Sequence, residues 1–265
     1  MNKKRPLFTI LTATHNRYRF LRQLYKSLKN QSYKKIEWIV GNDGSTDKTD
    51  EFIRSKLNKN EIKIKYIKSN IRVGKTIIDN ILLSHVSGKY ICYCGSDDYF
   101  KKNAFEIMFK LLDKQTNKNN INGVITQSVD TEGLSQTFYE NKIPNKKLIM
   151  SWEQYSKFIK GDSTNLEKAS VFKNKKFKEV DFLISESTLI NKVHKNKLFI
   201  VSPAITKIMR RANDSISFGS SLKYCRGYAF SVAINLDREK FSNLNFKYKI
   251  WNFINYWRYV WHGDI

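Results

Sequence analysis

Acidic side chains follow two short apolar segments of the chain, and basic side chains stand near these segments. Asp43 follows one apolar segment, and the adjacent pair Asp97 and Asp98 follows another. Mg²⁺ and Mn²⁺ are bound in proteins through one or two carboxylates together with phosphate oxygens. Arg17 and Lys75 could supply positive charge to the same phosphates. These residue types predict a site for a divalent metal and a diphosphate.

The elements that would position these residues alternate between strand and helix patterns over the first 115 residues. Apolar, β-branched runs predict buried strands, and apolar residues three and four apart predict amphipathic helices. The predicted strands cover residues 7–13, 36–40, 62–67 and 90–94, and the predicted helices cover 19–29, 46–57, 75–85 and 104–112. Ligands of such sheets bind beyond the carboxyl ends of the strands, where these ends converge. We therefore predict an α/β fold with a Rossmann-like, mostly parallel central sheet flanked by helices.

Beyond residue 115 the periodic patterns are weaker. Strands are predicted over 123–128 and 199–208, helices over 152–160 and 185–195, and an irregular stretch extends to residue 147. The last 45 or so residues have a helical, aromatic-rich pattern. We expect one domain over residues 1–218, with a nucleotide-binding half (1–115) and an acceptor-binding half (116–218), and a helical C-terminal extension over 219–265.

Composition restricts the function classes. The chain has 265 residues and a formal net charge of +24, from 48 Lys and Arg against 24 Asp and Glu. Such a charge indicates a polyanionic partner, such as nucleic acid, lipid headgroups or a phosphorylated molecule, although scattered lysines on solvated faces are an alternative. An apolar content of 41% excludes a disordered chain, and three cysteines favour a reducing compartment. With no signal or transmembrane pattern, we expect a cytoplasmic protein, either soluble or peripheral at the inner membrane face.

Three loops and the strands before them resemble the motifs of family 2 glycosyltransferases. These segments are residues 8–17 (FTILTATHNR), 42–47 (NDGSTD) and 88–98 (GKYICYCGSDD), and residues 70–80 resemble a further family motif. The resemblance is specific over residues 7–105 and weaker to about residue 218. It implies a GT-A fold, a nucleotide-sugar donor, with a UDP-sugar as the first expectation, and transfer with inversion of configuration.

The resemblance also implies the roles of the donor-binding residues. Thr12, Ala13 and His15 would line the nucleotide base pocket, mostly through the backbone. Asp43 would accept a hydrogen bond from the N3–H group of uracil. Of the basic residues, Lys75 would lie near the nucleotide.

Further roles follow for the second acidic loop and its surroundings. Asp97 would hold the ribose, and Asp98 would bind the Mn²⁺ or Mg²⁺ that bridges the diphosphate, with Arg17 in the donor site. Gly95 stands where many family members have the first Asp of this motif. Only two acidic residues therefore remain in the loop.

The catalytic base would come from the second half of the chain. Residues 208–217 resemble a family stretch that follows an acidic pair at the start of a helix. Counting back places Glu186 at that pair, with Ser187 in the place of its Asp. Glu186 is the candidate base and Asp181 the reserve, and the alternative for Glu186 is a carboxylate that caps a helix.

The C-terminal segment 248–261 holds three of the five tryptophans, and nearby cations flank its aromatic face. This face could lie in an anionic membrane interface, which would suit a lipid-linked glycan acceptor. The alternatives are a helix that closes the core or a homodimer contact.

These observations favour a metal-dependent, inverting hexosyl- or N-acetylhexosaminyl-transferase. It would move a sugar from a nucleotide diphosphate, in the first place a UDP-sugar, to a glycan hydroxyl in bacterial surface polysaccharide or lipo-oligosaccharide synthesis. One alternative is a sugar-phosphate nucleotidyltransferase, but the loop after the first strand lacks the expected glycines. The other is a degenerate transferase fold that binds membranes or nucleic acid; the dispersed lysines argue against nucleic acid.

Overall fold

The protein forms an α/β fold whose first half alternates strands and helices as predicted. The computed structural model describes residues 7–114, 120–139, 146–180 and 184–210, together with the isolated positions 230, 254 and 257. The predicted C-terminal extension therefore lies outside the described residues except at those three positions. No helix in the described ranges is long and apolar enough to span a bilayer.

Seven elements build the first half. They are β1 (Phe8–Thr14), α1 (Tyr18–Lys29), β2 (Ile36–Asp43), α2 (Thr49–Leu57), β3 (Lys63–Ser69), α3 (Lys75–Ser84) and β4 (Tyr90–Tyr93). Their bounds lie close to the predicted ones because burial follows the apolar pattern. Every residue of β2 is buried, as expected for a strand covered on both faces. On α1, Leu21, Leu24 and Leu28 form the buried face.

The part of the chain after β4 contains more strands than its sequence predicts. Its elements are β5 (Tyr99–Phe100), α4 (Ala104–Asp113), β6 (Ile121–Asp130), β7 (Thr137–Tyr139), β8 (Leu148–Ser151), α5 (Trp152–Phe158), β9 (Ile159–Gly161), β10 (Ser163–Lys168), a 3₁₀ turn (Ala169–Phe172), α6 (Ser187–Val193) and β11 (Leu198–Met209). The prediction missed β5 and β7 to β10, which are short or polar. These strands form because their backbones pair with other strands, and local sequence patterns do not reveal such pairing.

The strands form one large mixed sheet and one small sheet. The order of the large sheet is β3-β2-β1-β4-β10-β6-β11-β5, with β8 also paired to β11, and β7 pairs with β9 in the small sheet. Strand β1 lies between β2 and β4, and it is parallel to both. Strand β10 is antiparallel to β4 and β6. The carboxyl ends of β1, β2 and β4 therefore lie at one edge of the sheet.

Hydrophobic clusters cover both faces of this sheet. Trp38 of β2 packs into the cluster that includes residues of α1 and α4. Its neighbour Ile39 points to the other face and packs into the cluster with Ile78 of α3 and Leu189 of α6. Successive side chains of β2 thus pack against helices on opposite faces of the sheet. This packing fixes the position of the strand and of the loop at its end.

A buried carboxylate ties three parts of the sheet together. Glu37 of β2 is 0% exposed. It accepts hydrogen bonds from the Thr9 hydroxyl (2.6 Å) and the Ser87 backbone N–H (3.0 Å), and the Lys63 ammonium lies 3.1 Å away. Burial alone would raise the pKa of Glu37, but these donors outweigh it and lower the pKa to about 2.

Replacing Glu37 with Gln should lower the free energy of unfolding at pH 7 by about 2 kcal/mol, because charge-assisted hydrogen bonds are lost. The folded-state pKa lies below the ordinary value of 4.5. The stabilisation by the charged group is therefore complete above that ordinary value, and it is lost as the pH falls through the folded-state pKa. Urea denaturation at several pH values measures the difference between wild type and variant.

That difference should shrink as the solution becomes more acidic. The exposed Glu51→Gln variant of α2 serves as the control and should change stability by less than about 0.5 kcal/mol. An equal loss of stability for Glu37→Gln at every pH would show that the charge of Glu37 does not stabilise the fold.

Candidate active site

The three predicted loops meet at one edge of the sheet because the strands before them are in register. Thr14 at the end of β1 pairs with Asn42 of β2, and Asp43 pairs with Ser69 of β3. Strand β4 lies on the other side of β1, and it ends just before the loop 94–98. The spatial prediction that these polar loops lie along a common edge is consistent with this geometry.

Hydrogen bonds join the loop after β1 to the loop after β2. The Nδ1–H of His15 donates a hydrogen bond to the carbonyl oxygen of Asp43 (2.6 Å). The backbone N–H of Asn16 donates to the Ser45 hydroxyl (2.9 Å), and the Asn16 side-chain oxygen accepts from the Thr46 N–H (2.8 Å). These contacts hold the ends of β1 and β2 together.

The carboxylate of Asp43 holds the segment that leads into α3. Its Oδ1 accepts a hydrogen bond from the N–H of Val73 (2.6 Å), and its Oδ2 accepts from the N–H of Gly74 (3.1 Å). Gly44 makes this close approach possible, because its φ is +63° and a Cβ there would lie 2.5 Å from the carbonyl carbon of Ile71. Only glycine adopts this conformation without strain while it packs against backbone. Asp43 thereby positions the start of α3, where Lys75 stands.

Two carboxylates converge on the space beside Gly95. A Cβ placed on Gly95 would lie 3.0 Å from Oδ1 of Asp97 and 3.2 Å from Oδ2 of Asp98. Asp98 is only 7% exposed. Glycine at this position therefore leaves open a small space that two carboxylate oxygens face.

A buried lysine that sequence reasoning missed lies against Asp98. The ammonium of Lys207, on β11, is 3.2 Å from Oδ2 of Asp98 and 3.3 Å from Oδ1 of Asp162. Burial raises the pKa of Asp98 to about 6; Lys207 opposes this rise, whereas Asp97 and Asp162 add to it. A lysine within an otherwise apolar strand is the signal that could have pointed to a buried ion pair.

The donor set fits a cation that is shared with phosphate oxygens. Over the described ranges, no group of three or more His, Cys, Asp or Glu residues could hold a metal by itself. Mg²⁺ and Mn²⁺ need only one or two protein carboxylates when a bound phosphate supplies further oxygens. Asp98 meets that requirement, with the carboxylate of Asp97 facing the same space, and Lys207 adds a positive charge of the protein's own.

Buried hydroxyl groups near this edge have no hydrogen-bond partner in the part of the chain that the structure describes. They are Oγ1 of Thr14 at the end of β1, Oγ1 of Thr76 in the first turn of α3, and Oη of Tyr93 at the end of β4. A buried polar group without a partner costs about 1–3 kcal/mol. Groups of this kind at a strand-end edge favour a polar ligand or ordered water there.

The candidate base Glu186 lies next to Lys75. The Lys75 ammonium is 2.8 Å from Oε1 of Glu186 and 2.6 Å from Oδ2 of the buried Asp79. The positive charge of Lys75 lowers the pKa of Glu186, and Lys207 contributes in the same direction. The Glu186 side chain is 61% exposed, so an ionised carboxylate faces the open side of this edge. Asp181, the reserve candidate, lies outside the described residues.

The remaining predicted residues lie along β1 and the loop after it. The hydroxyl of Thr12 accepts a hydrogen bond from the indole N–H of Trp38 (3.0 Å), and Ala13 is half-buried. The guanidinium of Arg17 lies over the ring of Phe20, 5.7 Å from the ring centroid.

Comparisons with known proteins agree with this architecture. A GalNAc(5)-diNAcBac-PP-undecaprenol β-1,3-glucosyltransferase of Campylobacter jejuni is 27% identical over 239 residues, which cover 84% of this chain and 71% of that protein. For two further curated relatives the aligned segment covers only 14% and 40% of their length. The chain therefore spans less than half of the length of these two relatives.

Solved structures confirm the GT-A fold. Staphylococcus aureus TarS 1–349 in complex with UDP-GlcNAc superposes with a TM-score of 0.67 at 15% identity, covering 96% of this chain and 72% of that chain. Mannosyltransferase PcManGT of Pyrobaculum calidifontis, in complex with GDP-Man and Mn²⁺, has a TM-score of 0.62 at 14% identity and covers 97% and 75%.

The sequence model of glycosyl transferase family 2 matches residues 9–174. This range is more than half of the chain, and it includes all three loops at the strand-end edge. The matched range, together with the fold, shows that the chain belongs to glycosyl transferase family 2 and is a glycosyltransferase.

Proposed function

We propose that the protein transfers a sugar from a UDP-sugar to an acceptor hydroxyl with inversion of configuration. The observation that carries this proposal is the convergence of Asp97 and Asp98 on the space beside Gly95, next to the ammonium of Lys207. Such a grouping suits a metal-bound diphosphate. The UDP-GlcNAc complex of TarS, which shares this fold, supports a uridine nucleotide as the donor. Family membership favours this reaction over nucleotidyl transfer and nucleic-acid binding.

In this proposal the ends of β1 and β2 bind the nucleotide. The backbone of Thr12 and Ala13 and the ring of His15 line the base pocket. Oδ1 of Asp43 already accepts from the N–H groups of Val73 and Gly74, whereas Oδ2 accepts only from Gly74 and can take a further hydrogen bond. Asp43 can therefore both hold the start of α3 and accept the uracil N3–H.

The diphosphate end of the donor lies by the second acidic loop. Asp97 would hold the ribose and Asp98 would hold Mn²⁺ or Mg²⁺, while Arg17 and Lys75 would add positive potential. A bound divalent cation supplies Lewis-acid stabilisation of the charge that builds on the leaving diphosphate. Lys207 serves the same electrostatic purpose, because its buried ammonium acts in a region of low dielectric constant.

Glu186 is the base in this proposal. Its lowered pKa keeps the carboxylate ionised at neutral pH, so that it can accept the proton of the acceptor hydroxyl. Attack of that hydroxyl on the face of the sugar opposite the leaving diphosphate inverts the configuration. Lys75 orients the Glu186 carboxylate through their 2.8 Å ion pair.

The acceptor is proposed to be a bacterial glycan on a lipid carrier. The Campylobacter relative is named for an undecaprenol-linked acceptor, which supports this class. In this proposal residues 1–115 bind the donor, residues 116–218 bind the acceptor, and the protein works at the cytoplasmic face of the membrane. The aromatic segment 248–261, predicted to contact that membrane or a second copy, lies outside the described residues.

Replacing Glu186 with Gln should reduce the turnover of sugar transfer by about 100-fold or more, because the acceptor hydroxyl loses its proton acceptor. Binding of UDP-GlcNAc should stay unchanged, since Glu186 does not hold the nucleotide. Transfer of radiolabelled sugar to a lipid extract and calorimetric titration of the donor measure the two effects. The exposed Glu132→Gln variant is the matched control. Full transfer activity in Glu186→Gln would move the role of base to another carboxylate.

Replacing Asp98 with Asn should abolish the stabilisation of the protein by UDP with Mn²⁺. A ligand at 100 times its Kd stabilises the native state by about 2.7 kcal/mol, which a thermal-shift assay detects. In Asp98→Asn the shift should disappear, while the exposed Glu132→Gln variant, which also removes one carboxylate, should keep it. An unchanged shift in Asp98→Asn would show that the nucleotide binds without that carboxylate.

A further inference from the structure

An open groove with a basic lining runs along helix α1. Its volume is about 970 Å³. Five exposed cations line it: Arg19, Arg22 and Lys26 from α1, together with Lys34 and Lys102. No carboxylate is among its lining residues in the described part of the chain. The proposed donor chemistry uses none of these cations.

The five cations have no ion pair within the described residues, whereas other basic side chains of the same region do. Lys29, for example, pairs with Glu61, and Arg54 pairs with Asp50. Arg19, Arg22 and Lys26 are three, four and seven residues apart, so they lie on one side of α1 and repel one another. A bound anion would remove this repulsion.

The groove begins near the proposed active site. Tyr99, which lines the groove, directly follows Asp98 in the chain. Arg19 stands in the first turn of α1, just after the loop that holds His15. From Arg19 to Asn30 the helix rises about 16 Å, so the lining could contact more than one phosphate group.

Phosphate is the anion that this lining suits best. The planar guanidinium of arginine binds phosphate with two parallel hydrogen bonds, and lysines add point charges along the groove. The diphosphate of the donor is already assigned to the loop with Asp97 and Asp98. The groove is therefore left for a second phosphorylated substrate.

Building on the proposed function, we infer that this groove binds phosphate groups of the acceptor, so that the acceptor extends from residues 116–218 onto this part of residues 1–115. The acceptor is then an anionic molecule, and its hydroxyl reaches the donor while its phosphates lie along α1. The same chemistry could come from the diphosphate of a lipid carrier or from a phosphodiester polymer. Both present phosphate oxygens to the same cations.

The test compares two double variants with equal loss of charge. Arg22→Gln with Lys26→Gln removes two groove cations, and the control Lys173→Gln with Lys175→Gln removes two exposed cations after the 3₁₀ turn. Inorganic pyrophosphate is titrated calorimetrically in EDTA, so that the proposed metal position does not contribute. The groove variant should bind pyrophosphate about tenfold more weakly than wild type, and the control should bind it equally well. Thermal melts confirm that both variants fold.

Competition arms identify the source of the phosphate. Displacement of pyrophosphate by farnesyl diphosphate supports a lipid diphosphate, and displacement by a glycerol phosphate oligomer supports a phosphodiester polymer. Equal pyrophosphate affinity in the groove variant and the control overturns the inference. Binding to phosphatidylglycerol vesicles without binding to pyrophosphate also overturns it, in favour of membrane headgroups.

A separate titration with UDP and Mn²⁺ keeps this inference distinct from the proposed function. All three proteins should bind UDP equally, because the groove does not hold the donor. Failure of UDP to bind to any of them would count against the proposed function. The pyrophosphate comparison would still decide whether the groove binds phosphate.

Discussion

Carboxylates buried at the edge of the sheet need positive charge beside them, and this need shapes the site. Asp98 is nearly inaccessible to solvent, and burial raises its pKa. Without the ammonium of Lys207 the pKa of Asp98 would rise further. The burial of Asp79 likewise requires Lys75, which also holds Glu186. Removal of either lysine would leave a buried carboxylate without a compensating charge. Each of these ion pairs is therefore needed for the stability of the site.

The two lysines belong to elements that are far apart in the chain. Lys75 begins α3, whose position depends on hydrogen bonds from Val73 and Gly74 to Asp43. Lys207 belongs to β11, which pairs with β5 directly after the second acidic loop. The charge of the buried carboxylate Asp98 is therefore not balanced without β11. This dependence gives a physical reason for the two halves to form one sheet.

The first half of the fold could be predicted from the sequence because local patterns and burial agree there. Strands β1, β2 and β4 are short apolar runs that end in polar loops, and parallel register brings such loops to one edge. The polar strand β10 could not be predicted in the same way. It lies between β4 and β6, and its pairing depends on partners far away in the chain.

The family, the order of the βα units and the placement of Asp43, Asp97 and Asp98 after buried strands could be predicted from the residues alone, because these depend on local patterns and recognisable motifs. The pairing of Lys207 with Asp98, and of Lys75 with both Glu186 and Asp79, becomes apparent only in the folded chain. The folded chain also shows that five cations with no ion pair among the described residues line one groove along α1. Such pairings are invisible in the sequence, because the electrostatic energy depends on distances between side chains from separate elements.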